Sequence, residues 1–306
     1  MSWRNQALCF FLRNFIKPRV SWVLSDIVKA RRWLEYRAKF ASLLRPPKNY
    51  IRQELPNGNE WLIPAKLKNV NEAKRTILYL HGGAYLFFSP RTHRGIAARL
   101  AEFSDAAVLS LNYRLAPEHP FPAAVNDAYQ AYCQLIDAGT PASSIVLAGD
   151  SAGAGLVLAT LIALRDASGE LALPAAAVCF SPWADLTQSH INTSSTNHDD
   201  VTFSQENIIQ AAQYYLANTP ANHPQISPVF DCLNGLPAIL LQVSDQELLL
   251  KDARHLEKKI CLAGGIVNLQ LWHGVPHAWQ AYTPGLPEAK FALQAAAEFI
   301  KHYCPE

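Results

Sequence analysis

Short apolar runs alternate along the chain with longer stretches in which apolar residues recur at helical spacing. The apolar runs predict buried strands near Thr76–Leu80, Val108–Leu111, Ser144–Ala148, Ala176–Phe180, Ala238–Val243 and Val267–Leu271. The periodic stretches predict helices near residues 92–103, 122–137, 152–167, 252–263 and 287–302. Such alternation is typical of an α/β fold that has a mostly parallel central sheet with helices on both of its faces.

Two segments depart from this alternation. The first is residues 1–45, which end at a pair of prolines, and the second is a polar stretch with a following helix near residues 188–220. Without an internal repeat or a long flexible linker, the simplest organisation is a single domain over residues 46–306. We expect the two departing segments to form a helical cap on that domain.

The N-terminal segment interleaves aromatic residues with arginine and lysine. The aromatic residues are Trp3, Phe10, Phe11, Phe15 and Trp22. The apolar run that begins at Ala7 stops at Arg13, which makes it too short for a secretory leader or a membrane span. The pattern favours an amphipathic helix that covers the protein's own core or site, and we do not expect membrane contact. Peripheral contact with a membrane surface is the alternative.

Composition narrows the classes of partner. Half of the 306 residues are hydrophobic, so the chain can bury a large core. Its 27 Lys and Arg residues nearly balance 25 Asp and Glu residues, which argues against a nucleic acid and favours a neutral small molecule. The six cysteines are scattered without a CxxC pair and lie mostly in apolar runs, which indicates reduced, buried thiols in a cytoplasmic protein.

The sequence indicates neither a metal site nor a nucleotide site. The ten histidines form no HxxxH or HxH pair accompanied by a carboxylate at ligand spacing. The glycine-rich stretch 149–155 lacks the lysine that a phosphate-binding loop requires. We therefore expect no metal and no cofactor.

A candidate nucleophile lies where a predicted strand runs into a predicted helix. The apolar residues up to Ala148 lead directly into Gly149-Asp150-Ser151-Ala152-Gly153, a GxSxG motif. In a strand-turn-helix context this motif forces a strained backbone at the serine, and the glycines remove clashes between strand and helix. Ser151 would then lie at a helix N-terminus, where the helix dipole favours developing negative charge.

A second glycine motif follows the strand Thr76–Leu80. It reads His81-Gly82-Gly83-Ala84, and two glycines after a buried strand let backbone N–H groups point at a substrate oxygen. We predict that Gly82 and Gly83, joined by the N–H of Ala152, bind an oxyanion. A simple tight turn is the alternative interpretation.

Candidate bases and acids follow the last two predicted strands. His277 and His273 share the loop after the final strand, and loops that follow parallel strands gather at one edge of a sheet. Asp245, Glu247 and Asp252 follow the strand before it. Asp252 has the position of a helix N-cap. Chemistry alone does not choose between Asp245 and Glu247, because either could accept the imidazole N–H.

These motifs resemble those of the hormone-sensitive-lipase-like esterases, the bacterial family IV enzymes of the α/β-hydrolase fold. The resemblance runs from about residue 75 to the C-terminus. Three more segments carry it, Asn112–Glu118, Phe121–Ala124 and Ser181–Leu186. The family's third glycine is Ala84 in this chain, which we expect to be tolerated, with a slightly narrower pocket.

The resemblance places the family's histidine on His277 and, aligned from Gln242 to Ala253, its acid on Glu247, thirty residues earlier. Many relatives carry Asp followed by Pro at the acid position, so Asp245 stays the reserve.

The resemblance implies a carboxylic ester hydrolase that acts on small to medium acyl esters through Ser151, His277 and Glu247. A lactone hydrolase or an amidase on the same residues is the alternative. The family resemblance also extends to hormone receptors without the histidine, and His277 argues against that function. A small-molecule ester is therefore the expected partner, and a homodimer stays open.

Overall fold

The structure is a computed structural model that describes residues 1–44, 50–167, 171–187 and 200–305, with the backbone alone for 37–44. Residues 188–199 of the predicted cap insertion lie outside the described residues.

The helices and strands follow the predicted alternation. The helices are α1 Trp3–Phe11, α2 Val20–Ser25, α3 Ile27–Leu44, α4 Pro90–Ser104, α5 Ala123–Asp137, α6 Ala152–Asp166, α7 Gln205–Leu216, α8 Leu250–Leu262 and α9 Pro287–Tyr303. The strands are β1 Tyr50–Glu54, β2 Glu60–Pro64, β3 Thr76–Leu80, β4 Ala107–Leu111, β5 Ile145–Asp150, β6 Ala176–Phe180, β7 Ala238–Ser244 and β8 Val267–Trp272. A π-helical turn, Leu12–Ile16, directly continues α1.

Within the described residues the strands form one sheet in the order β1-β2-β4-β3-β5-β6-β7-β8. Strands β3 to β8 are parallel, whereas β2 pairs antiparallel with both β1 and β4. The chain passes from β3 to β4 on one side and then to β5 on the other, so the strand order reverses at β3. The loops that leave β3 and β5 therefore open at the point where α/β sheets bind ligands.

Successive side chains of each strand point to opposite faces of the sheet. Leu78 and Leu80 of β3 pack with residues of α5 and α6, whereas Ile77 and Tyr79 pack with residues of α4 and α9. Helices therefore cover both faces of the sheet, as is usual for parallel strands. The predicted α/β architecture with helices on both faces is confirmed.

The sequence analysis missed the two antiparallel strands β1 and β2. Strand β1 is an edge strand whose last four residues are exposed, so it carries no apolar signal. In β2 the apolar run is short and follows Glu60, whose side chain is 3% exposed and pairs with Arg94, whose Nε donates to Glu60 Oε2 over 2.9 Å. A buried charge with a partner on another element cannot be recognised from hydrophobic patterning.

The N-terminal segment lies against α7, the helix of the predicted insertion. Asn207 Nδ2 donates to Ser21 Oγ over 2.9 Å, and Lys17 Nζ donates to the carbonyl of Asp200 over 2.6 Å. Leu24 and Ile27 are buried in the main core. The two segments predicted to form a cap thus contact each other. Among the described helices, none has the length and apolarity needed to cross a bilayer.

Candidate active site

Ser151 lies at the tip of the turn between β5 and α6. Its backbone has a positive φ, with φ 55° and ψ −122°, the strained conformation that the strand-turn-helix context predicted. The Ser151 N–H donates to the carbonyl of Phe180 over 2.8 Å, and its carbonyl accepts from the N–H of Trp183 over 3.1 Å. These bonds to the end of β6 and to the loop after it hold the strained turn in place and leave the half-buried side chain at the carboxyl edge of the sheet.

Gly153 makes the close approach of α6 to β3 sterically feasible. A Cβ atom at this position would overlap the carbonyl oxygens of Leu80 and His81. Because those oxygens are backbone atoms at the end of a central strand, they cannot move aside cheaply. The first turn of α6 is therefore fixed directly beside the loop that leaves β3.

His277 and Glu247 form a buried pair. His277 Nδ1 is 2.5 Å from Glu247 Oε2, and the two side chains are 5% and 1% exposed. The other carboxylate oxygen, Oε1, accepts from the Ser244 N–H over 2.6 Å and from Ser181 Oγ over 2.9 Å. The carboxylate is thereby oriented by three hydrogen bonds and fixes the imidazole with Nδ1 as the donor.

Ser181 connects the elements that carry the candidate residues. Besides donating to Glu247, its hydroxyl accepts from the N–H of Ala278 over 3.1 Å. Its neighbour Phe180 accepts from the Ser151 N–H. The loop after β6 thus links the turn at Ser151 to the histidine and to the acid. The motif Ser181–Leu186 alone does not reveal this role of Ser181.

Burial lowers the pKa of His277, but the hydrogen bond and charge of Glu247 raise it more, with smaller contributions from Asp200 and Asp150. The net effect is a raised pKa, which suits a base that must hold a proton. The Nε2 atom is buried and makes no hydrogen bond within the described part of the chain. No hydrogen bond therefore joins Nε2 to the Ser151 hydroxyl here, and such contacts often tighten only when substrate binds.

The rival residues lie elsewhere. Asp245 Oδ2 is 2.9 Å from His273 Nδ1, and Asp245 Oδ1 accepts from the Gly274 N–H over 2.9 Å. The side chain of His273 is 79% exposed, so this second contact lies at the surface. The geometry therefore brings Glu247, rather than Asp245, to His277.

The predicted N-cap role of Asp252 is wrong. The N-cap of α8 is Leu249, and Asp252 lies within the helix. Its buried carboxylate accepts from the N–H groups of Ala184 and Asp185 over 2.8 and 2.9 Å. Asp252 thus satisfies backbone donors in the loop after β6, a tertiary role that local sequence spacing does not reveal.

The glycine loop after β3 differs from the prediction at Gly82. The Gly82 N–H donates to Asp150 Oδ1 over 3.0 Å, so it is not available to an oxyanion. The N–H groups of Gly83, Ala84 and Ala152 have no hydrogen-bond partner among the residues described. Gly83 adopts φ 115° and Ala84 φ 56°. In this loop the N–H groups without a partner are therefore those of Gly83 and Ala84, rather than those of Gly82 and Gly83.

A buried polar cluster lies behind this loop. The Tyr79 hydroxyl donates to Asp150 Oδ1 over 2.6 Å, and His93 Nε2 is 3.3 Å from Asp150 Oδ2. Burial raises the pKa of Asp150, but His93 and the hydrogen bond from Tyr79 outweigh this effect and lower the pKa to about 2. Burial, together with the charge of His93, lowers the pKa of His81 to about 3, so its ring is neutral at pH 7. The sequence analysis missed this cluster, because a buried tyrosine and histidine give no distinctive spacing.

Comparison with known proteins gives the class to which this fold and site belong. A family model described as alpha/beta hydrolase fold matches residues 77–281, and the chain belongs to that family. The chain is 44% identical over 242 residues, 79% of both chains, to an acetyl-hydrolase of Streptomyces hygroscopicus.

Solved structures agree over the full chain. A crystal structure of EstE5 soaked with p-nitrophenyl butyrate matches with a TM-score of 0.89 and 35% identity, covering 100% of both chains. An esterase from the bacterial hormone-sensitive lipase family matches with a TM-score of 0.87 and 34% identity over 99% of both chains. The resemblance inferred from the motifs is confirmed.

Proposed function

We propose that this chain is a serine carboxylesterase that hydrolyses esters of small to medium acyl groups, with Ser151 as nucleophile, His277 as base and Glu247 as the acid of the triad. The observation that carries the proposal is the buried 2.5 Å contact between His277 Nδ1 and Glu247 Oε2, which leaves Nε2 free to take a proton. The loop after β6 ties this pair to the turn that carries Ser151.

The proposed reaction has two acyl-transfer steps. Ser151 Oγ attacks the ester carbonyl while His277 Nε2 takes its proton, and Glu247 stabilises the imidazolium that forms. The alcohol leaves with the proton from Nε2. Water then attacks the acyl-enzyme by the same route, and the carboxylic acid leaves Ser151.

The oxyanion formed in both steps needs preorganised donors. The unpartnered N–H groups of Gly83, Ala84 and Ala152 support a role in binding it, and Ala152 adds the positive end of the α6 dipole. The Gly82 N–H instead holds the loop against Asp150. We propose that the cluster around Asp150 positions the donors.

A preference for short acyl groups is supported by the side chains beside the first turn of α6. Tyr85 stacks on Tyr215 with ring centroids 3.7 Å apart, and both rings are buried. The Tyr85 hydroxyl is 3.0 Å from where a Cβ atom would lie on Gly155. The acetyl-hydrolase and the butyrate-soaked esterase among the relatives have names that fit short acyl groups.

We further propose a cytoplasmic location, which rests on the cysteines. The six cysteines are free thiols, but the expectation that they are buried is wrong for Cys232 and Cys261, which are exposed. Exposed thiols persist in a reducing compartment.

A chain-length series of p-nitrophenyl esters, with an anilide and a lactone alongside, tests the proposed function. We expect hydrolysis to be fastest for acetyl to butyryl esters and to fall by about 10⁴-fold or more in Ser151→Ala. Ser143→Ala, at an exposed serine before the same strand, is the matched control and should keep wild-type rates. Full activity in a folded Ser151→Ala protein would overturn the proposal, and faster anilide or lactone turnover would change the substrate class.

A further inference from the structure

Large aromatic side chains lie exposed on the outside of the N-terminal segment. Trp3 is 73% exposed, Phe10 64% and Trp22 59%, and Phe11, Phe15 and Trp33 are each close to half exposed. Among the described residues, only two other Trp or Phe side chains, Phe230 and Phe291, are exposed to this degree. Exposed aromatic residues are thus concentrated in one segment, which marks an interaction surface rather than the scatter of single apolar residues normal on proteins.

Three of these aromatic residues share one face of the first helix. Trp3, Phe10 and Phe11 are spaced at i, i+7 and i+8, and all of them point to solvent. The opposite face is the buried one, where Asn5 Nδ2 donates to the carbonyl of Gly274 over 2.8 Å and Leu12 is 3% exposed. The helix therefore turns a polar anchor inward and an aromatic stripe outward. Phe11 and Phe15 stack with centroids 5.5 Å apart and extend that stripe into the π-helical turn.

The same segment is strongly basic. Residues 1–36 contain seven Lys and Arg residues and two acidic residues, a net charge of +5, whereas the whole chain carries +2. The remaining residues therefore carry 2 − 5 = −3. Arg4 lies over the ring of Trp3 at 5.7 Å, and Lys29 lies over the ring of Trp22 at 5.8 Å. The positive charge thus lies among the exposed rings and would repel a second copy of the same surface across a two-fold axis.

We propose that this surface, the outward aromatic and basic face of residues 3–33, binds an anionic phospholipid bilayer peripherally. Aromatic rings suit the headgroup level, and arginine and lysine around them pair with lipid phosphates. The expectation from the sequence treated core covering and membrane contact as alternatives. The two faces of the helix allow both, because the inner face packs on the protein while the outer face stays exposed.

The surface also lies over the loops of the candidate active site. Asn5 binds Gly274, three residues before His277, and Arg31 Nε donates to the carbonyl of Leu86 in the loop after β3 over 2.6 Å. A bilayer on this face would be next to the cap. Resting on the proposed esterase function, the inference adds a substrate class, namely esters dissolved in the membrane.

Vesicle flotation of the full-length protein tests the proposal. We expect binding to vesicles of phosphatidylcholine mixed with phosphatidylglycerol, weak binding to phosphatidylcholine alone, and loss of binding at high salt. The double variant Trp3→Ser, Phe10→Ser should reduce the partition coefficient by about tenfold or more. Phe291→Ser, at a ring 59% exposed on α9, is the matched control and should bind like the wild type.

Hydrolysis of p-nitrophenyl acetate in buffer separates this proposal from the esterase proposal, and it should be unchanged in all of these variants. Equal vesicle binding by the double variant and the wild type would overturn the proposal. A wild-type protein that does not bind anionic vesicles would also overturn it. If that protein is a dimer that the double variant dissociates, the surface is a dimer interface instead. Vesicle binding without any ester hydrolysis would overturn the esterase function and the membrane-ester substrate. The assignment of this surface to membrane binding would then stand.

Discussion

The carboxylate of Glu247 accepts three hydrogen bonds while it is almost entirely buried, and one of its partners is His277. A buried carboxylate with satisfied oxygens can hold an imidazole in one tautomer and stabilise its charged form. Asp245, by contrast, is bonded to the exposed His273 and to a backbone N–H. The two acids therefore differ in environment more than their spacing of two residues suggests.

Exchanging each acid for its amide tests this difference. We expect Glu247→Gln to lower kcat by about a thousandfold or more, because the amide cannot stabilise the imidazolium of His277. Asp245→Asn, the matched control two residues away, should keep kcat within a few-fold. Steady-state kinetics on p-nitrophenyl acetate decides the assignment. The opposite pattern, with Asp245→Asn crippled, would move the acid to Asp245.

The pH profile gives an independent test of the same pair. His277 must be neutral to take the serine proton, and its pKa is raised above 6.5 by Glu247, so kcat/KM should rise with pH through that raised pKa. In Glu247→Gln the raising contacts are lost while burial remains, so the acidic limb should move to lower pH. Asp245→Asn should keep the wild-type profile. An acidic limb that stays in place in Glu247→Gln would contradict the proposed contact.

At the residue scale, the sequence predicted the residues that carry recognisable motifs. Ser151 and His277 lie in patterns whose spacing reflects strict geometry, the sharp turn after β5 and the loop after β8. Gly82 and Asp252 were assigned wrongly, because their hydrogen-bond partners are distant in sequence. The Gly82 N–H donates to the side chain of Asp150, and the side chain of Asp252 accepts from the N–H of Ala184.

At the element scale, the loop that leaves β3 is shaped by its backbone conformation. Gly83 at φ 115° places its carbonyl to accept from the N–H groups of Leu86 and Phe87, both over 2.9 Å. A Cβ atom on Gly83 would overlap the carbonyl oxygen of Phe87. Ala84 follows in a left-handed conformation that an alanine adopts at some cost.

Substitutions at these two positions should differ sharply in their effects. Gly83→Ala should destabilise the protein by roughly 1–3 kcal/mol and lower kcat by about a hundredfold, because the oxyanion donors shift. Ala84→Gly should keep kcat within a few-fold, since it removes a Cβ and keeps the N–H. Thermal unfolding and kcat of each variant check this. Normal activity in Gly83→Ala would contradict the assignment of the donors to this loop.

The strands that the sequence predicted have a stronger apolar pattern than the two that it did not. Strands β3 to β7 are buried on both faces, and β8 alternates apolar with polar residues, so apolar patterning identified all six. Strand β1 is the exposed edge strand, and in β2 the apolar run is short and follows Glu60, which is buried with Arg94. Glu60 pairs with Arg94 on α4, a contact distant in sequence that the local pattern does not reveal.

At the scale of the whole molecule, specific contacts connect the N-terminal segment to the loops of the candidate active site. Arg31, with a side chain 22% exposed, donates to the carbonyls of Leu86 and Ala116 and pairs with Glu118. The ion pair with the half-exposed Glu118 contributes little, whereas the two carbonyl bonds lie in the less exposed part of the contact. Arg31 thus connects α3 to the loop after β3.

Removing this connection should weaken the cap and the site together. We expect Arg31→Ala to lower the free energy of unfolding by about 1–3 kcal/mol and to raise KM. Arg32→Ala is the matched control, since Arg32 is the next residue on α3, is exposed, and makes no hydrogen bond within the described ranges. Denaturant unfolding with steady-state kinetics checks both. If Arg31→Ala behaves like Arg32→Ala, the segment does not support the site.

The sequence predicted that the N-terminal segment would cover the protein, and the burial of Leu24, Ile27 and Ala30 agrees with that prediction. It could not show which side of each helix faces inward, because aromatic residues mark a core-facing stripe and an exposed one equally well. Only the tertiary contacts of Asn5 and Leu12 distinguish the two faces.

The central claim is that Ser151 is the nucleophile of an acyl-transfer reaction, and covalent trapping tests it most directly. The full-length protein is treated with a fluorophosphonate probe, and the modified peptide is identified by mass spectrometry while residual hydrolysis of p-nitrophenyl acetate is followed. The account predicts modification at Ser151 alone, in step with loss of activity, and no modification of a folded Ser151→Ala protein. Modification at another residue, or full inhibition with Ser151 unmodified, would contradict it.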